Sequence, residues 1–483
     1  MRNLTMMTDL YELTMMYGYF KKNTHHKLAV YDVFFRKPAG ESGYAIMCGL
    51  EQVIELINNL HFSAEDIEYL RSLKLFDEDF LSYLAEMRFT GEVYAVPEGT
   101  VVFPQEPLLR IKTKLIEAQL VETAILNIIN HQTLIATKAS RVCYAAGKGA
   151  VLEFGLRRAQ GPDAGIYGAR AAVIGGCAST SNVLAGQMFG VAVSGTHAHS
   201  WVMSFPKEID AFRAYADIYP DACLLLVDTY DTLRSGVPNA IKVFKELREK
   251  GHEPLGIRLD SGDLAYLSKA ARKMLDEAGF EKAKICASSD LDESVIQDLY
   301  AQGAKIDTWG VGTRLITSEN CPALGGVYKL SAIETENGEM IPKIKLSDNH
   351  AKITNPGYKK LVRIYSKING KALADLIMLE GEEIDETKPL TIFDPIATWK
   401  KMTLTNYSVR ELLIPIFENG KQVYHSPSVL EIREYCKEDL ATFWDEYKRF
   451  NRPHFYKVDL SDGLYDLKKE MIGIMQGDKH NLN

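Results

Sequence analysis

Hydrophobic and polar positions change rhythm several times along the chain. Over residues 8–20, Tyr11, Met15 and Tyr19 fall four apart, the spacing of one helical face. Asp9 and Glu12 have the spacing of a capping box at its start. This stripe fits a core face or an interface. Residues 28–36 alternate as a strand, and 49–88 return to helical spacing with Ser63-Ala-Glu-Asp66 as a start signal. Short strands are predicted over 91–112, punctuated by Pro97-Glu-Gly99 and Pro104-Gln-Glu-Pro107. Apolar pairs at 120/121, 124/125 and 128/129 then predict a long helix over Glu117–Arg141.

From about 149 to 325 the pattern alternates strand and helix. Strands are predicted at 149–154, 190–194, 223–228, 254–260, 283–288 and 305–311. Helices fall at 164–186 (as two), 207–217, 237–250, 263–279 and 291–302. Val-, Ile- and Leu-rich strands alternating with helices signal parallel βα units. Nearly every strand ends in polar residues. An open sheet binds at one switch point, whereas a barrel gathers its site from many strand ends. The expected fold class is therefore α/β, an irregular α/β barrel inserted between two halves of an α+β domain. Its expected boundaries are 1–116, 117–330 and 331–483. After Gly325-Gly326, shorter strands are predicted at 326–333, 341–346, 360–366 and 372–379, then a charged helix over 427–449. The polar residues 476–483 are expected to fray.

Composition narrows the function classes. A length of 483 residues implies more than one unit, and a net charge of −8 argues against a broad nucleic-acid-binding face. The seven cysteines are scattered and never form CxxC, as expected for reduced thiols. No apolar run is long enough for a membrane span, and Met1-Arg-Asn-Leu-Thr5 lacks the apolar core of a signal peptide. A cytoplasmic protein is expected.

Four polar clusters carry candidate chemistry. Thr196-His-Ala-His199 could chelate a metal, supply a base or nucleophile, or hydrogen-bond in a polar core. Only His252 follows as a further histidine in that region, which weighs against a metal hydrolase. Phe154, Arg157 and Arg158 combine a stacking surface with guanidinium forks suited to carboxylate or phosphate. Arg258-Leu-Asp260 adds a cation and a carboxylate able to hold a ribose diol or approach Mg²⁺, while Asp263 reads as a helix cap. Ser288, Gly310, Gly312 and Thr313 have the character of a phosphate cradle.

Taken together, Thr8-Asp-Leu-Tyr11, Glu153-Phe-Gly-Leu-Arg-Arg-Ala-Gln-Gly-Pro-Asp163, Gly195-Thr-His-Ala-His-Ser200, Arg258-Leu-Asp-Ser-Gly-Asp-Leu264, Gly310-Val-Gly-Thr313, Leu324-Gly-Gly-Val-Tyr-Lys-Leu330 and Asn451-Arg-Pro-His454 closely resemble the nicotinate phosphoribosyltransferase family. The resemblance implies a homodimeric type II phosphoribosyltransferase that joins nicotinate to 5-phosphoribosyl 1-diphosphate. ATP would be a co-substrate, placing the enzyme in the ligase class, with Mg²⁺ carried on the diphosphate near Asp260. It implies a phosphorylated His199, Phe154 stacked on the pyridine ring, and Tyr11 of a second subunit over the opposite face. Arg157 and Arg258, with Thr196 nearby, would meet the carboxylate or phosphates. Asp260 would meet ribose or Mg²⁺, and Ser288, Gly310, Gly312 and Thr313 the 5-phosphate. His197 and Arg158 receive no role. The rivals are a nicotinamide phosphoribosyltransferase, a quinolinate phosphoribosyltransferase, and a catalytically silent nucleotide-binding barrel.

Overall fold

The structure, a computed structural model, describes residues 3–349 and 352–480, the last three by backbone alone. It divides into two compact units, Met1–Leu134 with Ala323–Pro427 and Glu434–Asn483, and Ile135–Pro322 with Ser428–Arg433.

Both ends of the chain build the first unit. Its seven-stranded sheet runs Met340–Pro342, Gly326–Glu334, Leu28–Phe35, Leu109–Lys114, Glu92–Ala95, Ile414–Glu418, Lys421–Gln422, antiparallel throughout. Leu28–Phe35 is buried on both faces, so nearly all its side chains are apolar. Its one carboxylate, Asp32, meets Lys359 Nζ at 2.8 Å. A second sheet orders Tyr407–Glu411, Lys359–Ser366, Ala372–Leu379 and Val458–Leu460.

Local signals held in part. Ser63 and Asp66 complete the capping box of helix Ala64–Ser72. Asp9 and Glu12 do not form one at helix Leu10–Lys21. Asp9 Oδ2 instead accepts from Thr123 Oγ1 at 3.0 Å, and buried Glu12 accepts from Gln119, so tertiary partners outcompete the cap. The Tyr11 and Met15 positions of that helix lie exposed, which excludes the core reading of the stripe within this chain. The long helix is broken at Val121 into Leu115–Leu120 and Glu122–Ala146. The last helix, Asp462–His480, carries through residues expected to fray; 481–483 lie outside the described residues.

The second unit holds six parallel strands: β1 (Ala150–Glu153), β2 (Ser179–Thr180), β3 (Leu224–Leu226), β4 (Gly256–Leu259), β5 (Lys284–Ser288) and β6 (Thr308–Val311). Their spatial order is β2-β1-β6-β5-β4-β3. Helices between them bury one stripe each; Val237–Glu249 turns Val237, Ala240, Val243, Phe244 and Leu247 inward. Each such fully buried Val, Leu or Phe contributes roughly 1.5–3 kcal/mol. Asp263 caps helix Leu264–Glu277 through Tyr266 N, and Asp292 caps Glu293–Ala301.

Among the described residues the hydrogen-bonded ladder runs from β2 to β3, and no strand pairing joins those two strands into a closed barrel. The strand expected at 190–194 reduces to one bridge between Thr180 and Val193. Gly190 (φ 65°) ends helix Val183–Phe189, and Ala192 and Ser194 each share one backbone bond with Thr180 of β2. The parallel sheet itself is as expected. No helix among the described residues is long and apolar enough to cross a membrane.

Candidate active site

Parallel register brings the carboxyl ends of the strands together. Leu226 pairs with Arg258, Cys286 with Arg258, Ser288 with Gly310, and Val311 with Glu153. Arg258 is the hub. Its Nε donates to Ser288 Oγ at 2.9 Å, Nη1 to Thr196 Oγ1 at 3.0 Å, and Nη2 to Asp260 Oδ1 at 3.0 Å. Ser288 in turn donates to Asp260 Oδ1. Burial pushes the Asp260 carboxyl up, yet the Ser288 hydrogen bond and the Arg258 charge hold it below the usual range. Asp260 is thus an anion on a half-open surface, 29% exposed.

His199 lies at the first turn of a short helix, His199–Met203, and is 39% exposed. Thr229 Oγ1 lies 3.1 Å from its Nδ1, while Asp260 Oδ2 and Asp228 Oδ1 lie 3.6 and 4.0 Å from its Nε2. The Asp228 side chain is almost wholly buried, at 1% exposed. Its Oδ2 accepts from Asp260 N at 2.9 Å and Ser261 Oγ at 2.7 Å, whereas Oδ1 has no hydrogen-bond partner. Sequence reasoning assigned no role to Asp228 or Thr229. The signal was there in Leu225-Leu-Val-Asp228, an apolar strand ending in a carboxylate.

Phe154 leaves β1 just above this network. The Arg258 guanidinium lies 5.6 Å from its ring centre. Gly310 packs beneath the same ring: a Cβ there would sit 2.7 Å from Phe154 Cδ2, so the ring's position requires glycine. Glu153, fully buried, accepts from Gly155 N and from Thr180 Oγ1 at 2.6 Å, joining β1 to β2; burial raises its carboxyl despite both bonds. Gly312 precedes the turn Thr313–Ile316, and Thr313 is partly exposed there. Beyond Ser288, Ser289 (φ 89°) and Asp290 (φ 44°) are both left-handed, a strained loop of the kind found at ligand sites.

The structure therefore gathers Phe154, Thr196, His199, Arg258, Asp260, Ser288 and Gly310 into one network. Arg157 and Arg158 stand apart on an exposed 3₁₀ turn, Leu156–Arg158. Tyr11 belongs to the other unit, where its side chain is 50% exposed. His197 is buried and takes no part in that hydrogen-bond network. Its ring meets Tyr215 at 4.8 Å between centroids, and its Nε2 accepts from Leu226 N at 3.2 Å. Burial lowers its pKa to about 4. Among the described residues, no group of three or more His, Cys, Asp or Glu side chains could hold a metal. The paired histidines thus serve different environments.

Comparison with known proteins places the chain. Residues 6–130 match the nicotinate phosphoribosyltransferase N-terminal domain, 150–355 the nicotinate phosphoribosyltransferase family, and 358–468 its C-terminal domain. The chain belongs to the nicotinate phosphoribosyltransferase family. A nicotinate phosphoribosyltransferase of Bacillus subtilis is 49% identical over 470 residues, covering 97% of this chain and 95% of the relative. The human enzyme of that name is 32% identical over 520 residues, covering 96% and 95%. The crystal structure of human nicotinic acid phosphoribosyltransferase superposes with a TM-score of 0.85 at 30% identity, over 96% of this chain and 99% of that one. A nicotinate-nucleotide pyrophosphorylase from Pyrococcus furiosus gives 0.70 at 25% identity, over 91% and 95%. The family's mixed α/β fold is thus shared along nearly the whole chain.

Proposed function

We propose that this protein joins nicotinate to 5-phosphoribosyl 1-diphosphate, giving nicotinate mononucleotide and diphosphate for NAD salvage. ATP hydrolysis is coupled to the transfer through phosphorylation of His199. The observation that carries this reading is the half-exposed His199 imidazole set among Thr229, Asp228 and Asp260 beside the Arg258 network, in a chain of this family.

In the transfer, the pyridine nitrogen lone pair forms the bond to ribose C1 as the C1–O bond to diphosphate breaks and its electrons leave with diphosphate. Catalysis of such a step is mainly positioning and charge stabilisation. Phe154 stacks on the pyridine ring, Arg157 receives the carboxylate, and Tyr11 of a second subunit in a homodimer covers the opposite face. Arg258 orients Thr196, Ser288 and Asp260. Ser288, Gly310, Gly312 and Thr313 face the 5-phosphate. For the ATP step, an imidazole nitrogen of His199 accepts the γ-phosphoryl group as ADP leaves, and water later releases phosphate. The residues present fit Mg²⁺: Asp228 Oδ1 is buried without a hydrogen-bond partner, and Asp260 Oδ2 lies on the same side of His199. Two carboxylates suit an ion that keeps waters and diphosphate oxygens as its other ligands. When bound, Mg²⁺ would neutralise diphosphate charge.

The test is product formation from 5-phosphoribosyl 1-diphosphate with nicotinate, nicotinamide or quinolinate, each with and without ATP. Nicotinate should be the efficient acceptor, faster with ATP and with ADP released. His199→Ala should abolish ADP release and leave slow ATP-independent transfer. Better turnover of either other acceptor, or unchanged ADP release in the variant, overturns the reading.

A further inference from the structure

Strand pairing leaves one buried backbone donor of β3 without a strand partner. Successive N–H groups of a strand point to opposite sides. Val227 N donates to Arg258 O on β4 at 3.1 Å, so the preceding N–H, that of Leu226, faces the free edge of β3. Leu226 is fully buried, and a buried N–H without an acceptor costs about 1–3 kcal/mol. The acceptor there is the His197 side chain, with Nε2 at 3.2 Å.

The segment carrying His197 is held at β2 as well. Thr180 N donates to Ala192 O, and Ser194 N to Thr180 O, each at 3.0 Å. Two backbone bonds thus tie it to one edge of the sheet, and one imidazole ties it to the other. Two residues beyond His197 stands His199; three residues beyond Leu226 stands Thr229, its partner at 3.1 Å. Asp228 lies between. The same two segments therefore meet twice, once through His197 and once through His199.

We propose that His197 is a positioning residue: its neutral imidazole supplies the acceptor that a neighbouring strand would otherwise provide, and so sets His199 in register with Thr229, Asp228 and Asp260. The bond demands a ring with a lone pair on Nε2, which places the proton on Nδ1, itself buried without a hydrogen-bond partner. A charged imidazole would turn an N–H toward the Leu226 N–H and lose the bond. The His-x-His spacing then separates two duties, anchoring at the first position and reaction at the third. The kinetic arm of the test below rests on the reading of His199 as phosphoryl acceptor; the tautomer arm does not.

The kinetic arm compares His197→Leu, which removes the acceptor, with His197→Gln, whose side-chain oxygen can replace it. Phosphohistidine formation at His199 is measured at saturating ATP, alongside KM for nicotinate. Leucine should slow phosphorylation roughly tenfold, the equivalent of one buried N–H left unpaired. KM should change by less than twofold, and glutamine should recover most of the rate. Equal rates in the two variants, or wild-type rates in the leucine variant, overturn the proposal. The second arm needs no leucine variant to fold: nitrogen-15 histidine spectra of the full-length wild-type protein, with His197 assigned through the glutamine variant. The expected signal is a neutral Nδ1–H ring; an Nε2–H ring, or a charged ring at neutral pH, refutes the role. If His199 is never phosphorylated in wild type, the functional reading fails, and the spectra still decide the question for His197.

Discussion

Arg363 in the first unit and Arg258 in the second each donate to an aspartate while lying near a phenylalanine ring. Arg363 lies 4.9 Å from the Phe443 ring centre, and Arg258 lies 5.6 Å from that of Phe154. The difference is what remains open. Arg363 is wholly buried, bound to Asp375 at 2.6 and 2.9 Å, to Asp439 at 3.1 Å, and to Val101 O at 2.6 Å. Tyr456 Oη also donates to Asp375 Oδ1, at 2.9 Å. Around Arg258 the polar groups stop short of closure: His199 and Asp260 stay partly exposed, and Asp228 keeps an unpartnered oxygen. The same chemistry is a structural lock where protein completes it and a candidate site where protein does not.

The comparison breaks first at Arg363. Arg363→Met strands Asp375 as a buried charge without its cation, while Asp439 keeps Arg410 at 2.9 Å, and should cost about 3–5 kcal/mol, read by denaturant unfolding. A loss below about 1 kcal/mol would mean that the lock is not a lock. Next comes Arg258→Lys, which keeps the charge but not the fork that reaches Ser288, Thr196 and Asp260 together. Its kcat/KM should fall by about a hundredfold, while its melting temperature stays within a few degrees. A variant that unfolds instead would place Arg258 with Arg363.

The smallest effects are in pH, and they have opposite signs in the two units. His197 is lowered to about 4 by burial, against 6.5 ordinarily, with Arg258 and His199 adding repulsion and Tyr215 packed on its ring. Between those values the unfolded chain binds a proton that the fold does not, so stability falls as pH drops from 6.5 through about 4. Glu122, in the first unit, is raised to about 7 by burial; Lys329 opposes the shift and Glu12 adds to it. Here the fold binds the extra proton, so stability is lost as pH rises from about 4.5 through 7. Thermal melts from pH 4.5 to 8 should show His197→Gln flattening the acid limb and Glu122→Gln flattening the alkaline one. A common response of both variants would erase the distinction.

Much of this was legible in the residues alone. Apolar periodicity placed five of the six strands and the helices between them, because one buried stripe or one buried strand leaves its mark locally. Ser63 and Asp263 announced their caps for the same reason. The motifs around Phe154, His199, Arg258, Ser288 and Gly310 marked a site, since polar residues at the ends of apolar strands have few structural uses. Where local rules failed, distant partners had prevailed: Asp9 abandoned its cap for Thr123, 114 residues away.

The sequence by itself thus determined most of the elements, the family and the motif residues gathered around Arg258, all of which depend on neighbours along the chain. Only the tertiary structure decided the order in which the strands pair, that Gly310 exists for the Phe154 ring, and that Asp228 and Thr229 belong with His199. It also separated the two histidines of Thr196-His-Ala-His199, turning one to solvent and burying the other against Leu226, 29 residues on. Register between segments is a property of how their faces pack, and an isolated stretch of sequence does not carry it.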